Sequence, residues 1–200
     1  MRFDPMRDTD RDRVTHLLAR ADGPVRAAAD LRGRTLAVGA SDSPQATLLP
    51  IHHLRGIGIV AGRDMAVLGH DVLVGKHGDH VGGERDALEA LLNGRADAAA
   101  VLDLNWQLWS SDGTVDPSRI RPLETTGPFD HCNFTATNRL DSAIAEQWTR
   151  VLLSMDYANP VHREMMDLEG LKQWLPGRTS GYAALEAAVE EQVFFEPMTR

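Results

Sequence analysis

The chain has 200 residues, with 21 Lys+Arg against 29 Asp+Glu for a formal charge of −8, and is 42% apolar and 25% charged. Those proportions describe a folded globular chain with length for one large domain or two small lobes, and the acidic balance without a basic stripe argues against nucleic acid. A single cysteine, Cys132, excludes an intramolecular disulfide framework and any cysteine-based zinc site, and no run of about 18 apolar residues is present to cross a membrane.

Residues 1–13 (MRFDPMRDTDRDR) read as a polar, frayed leader. They lack the apolar stretch of a secretory signal, which as written leaves the chain in the cytoplasm. VTHLLA (14–19) reads as a strand, Asp22-Gly23-Pro24 as a turn, and 27–31 as a short helical turn. RTLAVG (34–39) is an apolar strand. Ser43 is placed to cap a helix with Pro44 at its first position, running to about 55 and ended by Gly56 and Gly58. MAVLGHDVLV (65–74) predicts a strand with a kink at Gly69, and HGDHVGG (77–83) a loop. The segment 84–92 predicts a helix with Ala87, Leu88, Leu91 and Leu92 on one face, stopped by Asn93-Gly94. A buried strand follows at 98–102, a helix at 104–110, and strands at 120–124 and 131–136. From Asp141 the pattern turns helical, over 141–155, 160–168 and 181–193.

Strand and helix alternate from 34 to 124, which predicts an α/β fold with a mainly parallel sheet and flanking helices. The expected organisation is a leader over 1–13, an α/β lobe with crossover strands over 14–140, and a C-terminal helical segment over 141–200 that packs on the lobe or on a partner.

Open α/β sheets bind ligands beyond the carboxyl ends of their strands. Two turns fit that position. Gly39-Ala40-Ser41-Asp42-Ser43-Pro44-Gln45-Ala46-Thr47 ends a strand and opens a helix, so amide groups and hydroxyls there suit a small oxyanion, with Asp42 opposing it. No Lys-Ser/Thr ending of the nucleotide-binding loop type is present. The second turn spans 77–86. Its His77, Asp79 and His80 are of metal-ligand type, but such residues are common on solvated loops, and neither a metal nor a cofactor is assigned. His52 and His53 lie about 100° apart on one helix, a poor chelate. On a strand His131 and Cys132 point to opposite faces, so the thiol reads as a small buried side chain rather than a nucleophile. No Gly-x-Ser-x-Gly elbow occurs.

The order of these motifs resembles the second lobe of type 2 periplasmic solute-binding proteins, and above all the phosphate/phosphite/phosphonate-binding family of ABC transporters. The resemblance is carried by DLRGRTLAVGASDSPQATLLPIHHLRGIGI (30–59), VGGERDALEALLNGRADAAAVLD (81–103), RIRPLETTGPFDHCNFTATNRLD (119–141) and LEGLKQWLPGRTSGYAALEAAV (168–189). It implies an anion held at Ser41, Ser43 and Gln45, with Thr47 a weaker candidate, beside Gly83. Glu84 stands where that family has a histidine, and Asp103 and Asp130 fall at its acidic positions. The resemblance therefore implies a ligand with a cationic part, or no phosphonate at all. It also implies that about one lobe's worth of sequence is absent here, so that the chain is a fragment or a stand-alone half with weak oxyanion binding.

The resulting expectation is a small-molecule binding module without nucleic acid or membrane insertion, forming a homodimer through 130–155 or 180–195. The ABC-transporter permease is a partner, and the periplasm or cell surface the location, if a longer secreted form exists. The alternatives are a cytoplasmic enzyme with a Cys/His site on the same fold, or an effector-sensing module.

Overall fold

The computed structural model describes residues 2–3, 5–70 and 81–195. Strands β1 (Arg2–Phe3), β2 (Met6–Arg7), β3 (Thr15–Arg20) and β4 (Thr35–Val38) come first. A π-helical turn, Pro44–Leu48, then runs directly into α1 (Leu49–Gly56). Next come β5 (Ala66–Gly69), α2 (Val81–Leu92), β6 (Ala98–Leu102), α3 (Asp103–Ser111) and β7 (Ile120–Thr125). The remainder is β8 (Thr135–Ala136), α4 (Ser142–Leu153), α5 (Pro160–Leu168), β9 (Trp174–Leu175) and α6 (Ala183–Glu191). These elements form two compact units. One comprises Met1–Arg13 and Pro128–Ala183, the other Val14–Gly127 and Ala184–Arg200.

The larger unit is built on a five-stranded sheet of order β5-β4-β6-β3-β7. β4 pairs in parallel with β5 and β6, while β3 runs antiparallel to both β6 and β7. Four strands thus share one direction and β3 alone opposes them, so the sheet is mainly parallel, as the alternating pattern implies. The strands read as nearly continuous apolar runs because both faces are covered. Leu17, Ala19, Leu36, Val38, Ala98 and Ala100 face a cluster completed by Leu31, Leu54 and Ile59. Their neighbours Leu18, Ala37, Ala99 and Val101 face the opposite cluster, built on Ala87, Leu88 and Leu91 of α2 and Trp109 of α3. Side-chain alternation along each strand sends successive residues to opposite layers. The small alanines of β6 let helices approach the sheet on both sides.

The smaller unit has two short ladders, β1 with β8 and β2 with β9, and a core of Leu152, Met166, Leu171 and Trp174. Here the structure corrects the expected organisation. Residues 5–13 are not frayed: Met6 is 1% exposed, Met6 pairs with Leu175, and the Asp8 amide donates to Gln173 O. Their charges bond to distant backbone, Arg7 Nη1 to Glu169 O and Arg11 Nη2 to Pro176 O. The division between units falls at 127/128 rather than 140/141, and α6 belongs with the sheet.

Three element boundaries also differ. The expected strand 131–136 is extended only over β8, because His131 N donates to Asp10 O and Phe134 N to Pro5 O rather than in a ladder. α2 begins at Val81, inside the expected loop. β5 ends at Gly69, and positions 71–80, with His77, Asp79 and His80, lie outside the described residues. Among the described residues no helix is long and apolar enough to cross a membrane.

Candidate functional site

In the larger unit the parallel strands β4, β5 and β6 deliver their carboxyl ends to one edge of the sheet, and each is followed by a helix start. Two glycines bring two of those starts together. A Cβ on Gly39 would lie 2.6 Å from Ala46 Cβ and 3.5 Å from the Glu84 backbone nitrogen. A Cβ on Gly83 would lie 2.9 Å from His70 O and 3.1 Å from Ala40 N. Neither position has room for a side chain, so the turn after β4 and the start of α2 pack backbone to backbone. The turn that carries Ser43, Gln45 and Thr47 and the helix start that carries Gly83 and Glu84, distant in sequence, are thereby neighbours.

The helix start is set by local chemistry. Ser43 Oγ accepts from Ala46 N at 3.2 Å, and Pro44 occupies the first helical position without an amide to satisfy. Thr47 N and Leu48 N both donate to Ser43 O, the second closing the wider i→i+5 ring of a π turn. Thr47 Oγ1 donates to Ala40 O at 2.7 Å and ties the turn to the helix. Ser41 and Asp42 lie exposed on the turn itself. Gln45 is fully buried, and neither its Nε2 nor its Oε1 has a hydrogen-bond partner among the described residues.

Among the described residues, the buried polar side chains of this unit are Thr15, Gln45, Thr47, Glu84, Asn105 and Thr126. All gather at the same edge. Thr15 opposes Leu102 at the end of β6, and its hydroxyl donates to Gln45 O at 2.8 Å. Thr126 Oγ1 accepts from Thr15 N at 3.0 Å. Glu84 Oε2 accepts from Leu102 N at 2.8 Å and from Asn105 Nδ2 at 3.0 Å, so this carboxylate joins α2 to β6 and α3. Asp103 opens α3 at this edge, its amide donating to Val14 O. Thr15, Asn105 and Thr126 were not singled out from the sequence. A threonine inside the apolar run VTHLLA is the signal that could have pointed to one of them.

The smaller unit holds Asp130. Its carboxylate accepts from Arg178 Nε and Nη2, each at 2.7 Å, and from Asp12 N at 3.1 Å. Burial alone would raise this carboxyl, but the Arg178 hydrogen bonds and the Asp12 amide outweigh it and hold it below the usual carboxylate range. Nearby, His131 Nδ1 lies 3.1 Å from Asp10 Oδ1 and 3.1 Å from Cys132 Sγ. Because residues 131–134 are not a strand, the opposite-face argument for this pair fails, and ring and thiol are neighbours. Burial alone would lower the imidazole, but the bonds to Asp10 and Cys132 raise it to about 9.

The sequence profile of a family described as ABC transporter, phosphonate, periplasmic substrate-binding protein matches residues 5–182. An uncharacterized protein of Haemophilus influenzae is 58% identical over 36 residues, 18% of this chain. That stretch spans about half the length of the curated relative, 51%. Among solved structures, PhnD1 from Prochlorococcus marinus in complex with methylphosphonate superposes with a TM-score of 0.75 at 15% identity, covering 96% of this chain and 71% of that one. XAC2383 from Xanthomonas citri bound to ATP gives a TM-score of 0.76 at 20% identity, covering 97% and 72%.

Proposed function

The chain belongs to the ABC-transporter phosphonate family of periplasmic substrate-binding proteins, and we propose that its ligand is a small phosphonate- or phosphate-class oxyanion held where the turn 39–47 meets the start of α2. The close packing of Gly39 against Gly83 carries this reading. It sets two helix N-termini side by side at the carboxyl edge of the sheet, and their partial positive charges add for an anion placed between them. Ser41, Ser43, Gln45, Thr47 and Gly83 are the proposed contacts, with Thr47 in support through Ala40. Glu84 has a different part: its charge is committed to Leu102 and Asn105. Asp103 stays the proposed partner for a cationic group on the ligand, whereas the Asp130 carboxylate, committed to Arg178 and the Asp12 amide, is not placed at this site. Asp42, exposed on the turn, opposes an anion and keeps affinity weak, above about micromolar.

The test is calorimetric titration with methylphosphonate, inorganic phosphate and ATP, each paired with a melting curve, since binding to the native state alone raises apparent stability. Methylphosphonate or phosphate is expected to bind, with Ser41→Ala and Gln45→Leu each weakening it about tenfold, some 1.4 kcal/mol. Absence of heat and of stabilisation with all three at millimolar concentration would end the proposal.

The enzymatic alternative fits less well. A Cys-His-Asp relay needs the imidazole to bridge through both nitrogens, whereas Asp10 and Cys132 both sit on Nδ1. We place the working chain in the periplasm, its partner the permease of an ABC transporter. A homodimer through α4 is also part of the proposal. Ile144, Trp148 and Val151 line one exposed face of that helix, and Phe134 stacks edge-on against Trp148 at 5.7 Å.

A further inference from the structure

We propose that Asp10, His131 and Cys132 form a three-donor site for one divalent cation of the zinc class, with the fourth coordination position open to the adjoining cavity. The single cysteine argued against such a site in the sequence. The fold answers by supplying the other donors, one from the next residue and one from the far end of the chain.

One ligand atom from each of Asp10, His131 and Cys132 lies within 4.8 Å of the other two. The separations of His131 Nδ1 from Asp10 Oδ1 and from Cys132 Sγ are both 3.1 Å. Tetrahedral zinc, with bonds of about 2.0–2.3 Å, holds such donors about 3.3–3.6 Å apart, so the two pairs that include Nδ1 need a few tenths of an ångström of adjustment, and the carboxylate–sulfur pair closes from at most 4.8 Å. The nitrogen also has more partners than it can serve. Nδ1 carries one proton or one lone pair, yet faces a carboxylate oxygen and a sulfur. A proton satisfies one at a time, while a cation at that point satisfies all three.

The surroundings have the features a metal site needs. Arg7 holds the carboxylate through both oxygens, Nε donating to Asp10 Oδ2 at 2.6 Å and Nη2 to Oδ1 at 3.1 Å, with Oδ1 also facing the ring. The His131 amide donates to Asp10 O at 2.8 Å and locks the two segments together. Asp10 is 3% exposed, whereas Cys132 is exposed and gives an entry path. A cavity of about 240 Å³, lined by Arg7, Asp10, Cys132, Asn133, Phe134 and Trp174 among others, adjoins the donors and gives the open position room for water or a small ligand. The mixture of thiolate, imidazole and a single carboxylate selects a borderline ion such as Zn²⁺ over Ca²⁺ or Mg²⁺, which demand oxygen. None of the three donors belongs to the proposed oxyanion contacts, so each reading stands or falls alone.

The full chain, stripped of metal, is titrated with Co²⁺ and then challenged with Zn²⁺. The expected result is one equivalent of Co²⁺ with intense tetrahedral visible bands and a sulfur-to-cobalt charge-transfer band, both displaced by Zn²⁺. Cys132→Ser, a substitution at an exposed position that leaves the fold intact by circular dichroism, removes the charge-transfer band and weakens binding at least about tenfold, and Asp10→Asn weakens it comparably. A weak octahedral spectrum, no saturable binding, or binding unchanged in Cys132→Ser overturns the proposal.

Discussion

Exchanging one methyl group across the Gly39–Ala46 contact tests whether the helix start is held against the strand end as described. Gly39→Ala places a Cβ 2.6 Å from Ala46 Cβ, where apolar carbons rest at about 3.5–4.0 Å. About 1 Å must be recovered between a strand end and a helix backbone, and neither is a flexible side-chain tip. Overpacking of that kind costs about 2 kcal/mol. Ala46→Gly alone removes no clash and costs about 1 kcal/mol in helix propensity. In the double variant the methyl moves from one side of the contact to the other. The remaining neighbours of the new Cβ, the Glu84 nitrogen and the Gly83 carbonyl carbon, stand at 3.5 Å, an ordinary contact. The double variant should therefore lose only about 1 kcal/mol, a favourable coupling of about 2 kcal/mol. Urea unfolding at constant m, backed by melting curves, reads this out: each kcal/mol is about 2–4 °C in Tm for a chain of this size. Methylphosphonate binding should fall in Gly39→Ala and recover in the double variant. Strict additivity, or a harmless Gly39→Ala, would refute the packing argument.

Glu84→Ala strips the acceptor from Leu102 N and Asn105 Nδ2 in a buried setting and should cost about 2–3 kcal/mol by denaturation, with Glu84→Gln milder. A Glu84→Ala variant as stable as the parent would show that the carboxylate is not structural. His131 is raised from 6.5 to about 9, so its contribution to stability is full below pH 6.5 and is lost as pH climbs through 9. The metal-free chain should therefore become easier to unfold from pH 6.5 to 9, and Asp10→Asn should flatten that slope; a slope of opposite sign contradicts the assignment. Light scattering at micromolar concentration should give twice the chain mass, with Trp148→Ser returning one chain mass, and a monomeric parent rejects the dimer.

The sheet and its edge were readable because their causes are local. β4 and β6 are covered on both faces, so each appears as an unbroken apolar run, and Ser43-Pro44 announces a helix start in two letters. The smaller unit was not readable. Its ladders are two residues long, and its polar bonds span great separations, such as Arg7 to Glu169 across 162 residues. A window over residues 1–13 sees only charge, because the partners that order it, among them Phe129, His131, Gln173 and Leu175, lie beyond it. The same blindness hid Asp10 from Cys132 and left the strand at 131–136 overextended. Thr15 and Thr126 went unread for a different reason. A strand threonine is ordinary until its hydrogen bond to another sheet-edge residue is known.

The pairing of β2 with β9 also sets an order of assembly. β7, the last strand of the five-stranded sheet, ends at Thr125, whereas Met6 waits for Leu175. At roughly 5–20 residues per second, those 50 further residues take a ribosome about 3–10 s. During that interval the sheet can condense and Arg2–Phe3 can find Thr135–Ala136, while Met6–Arg7, made before them all, still lack their partner strand. Closing so large a loop is entropically slow, so these residues are among the earliest synthesised and the latest to find their place.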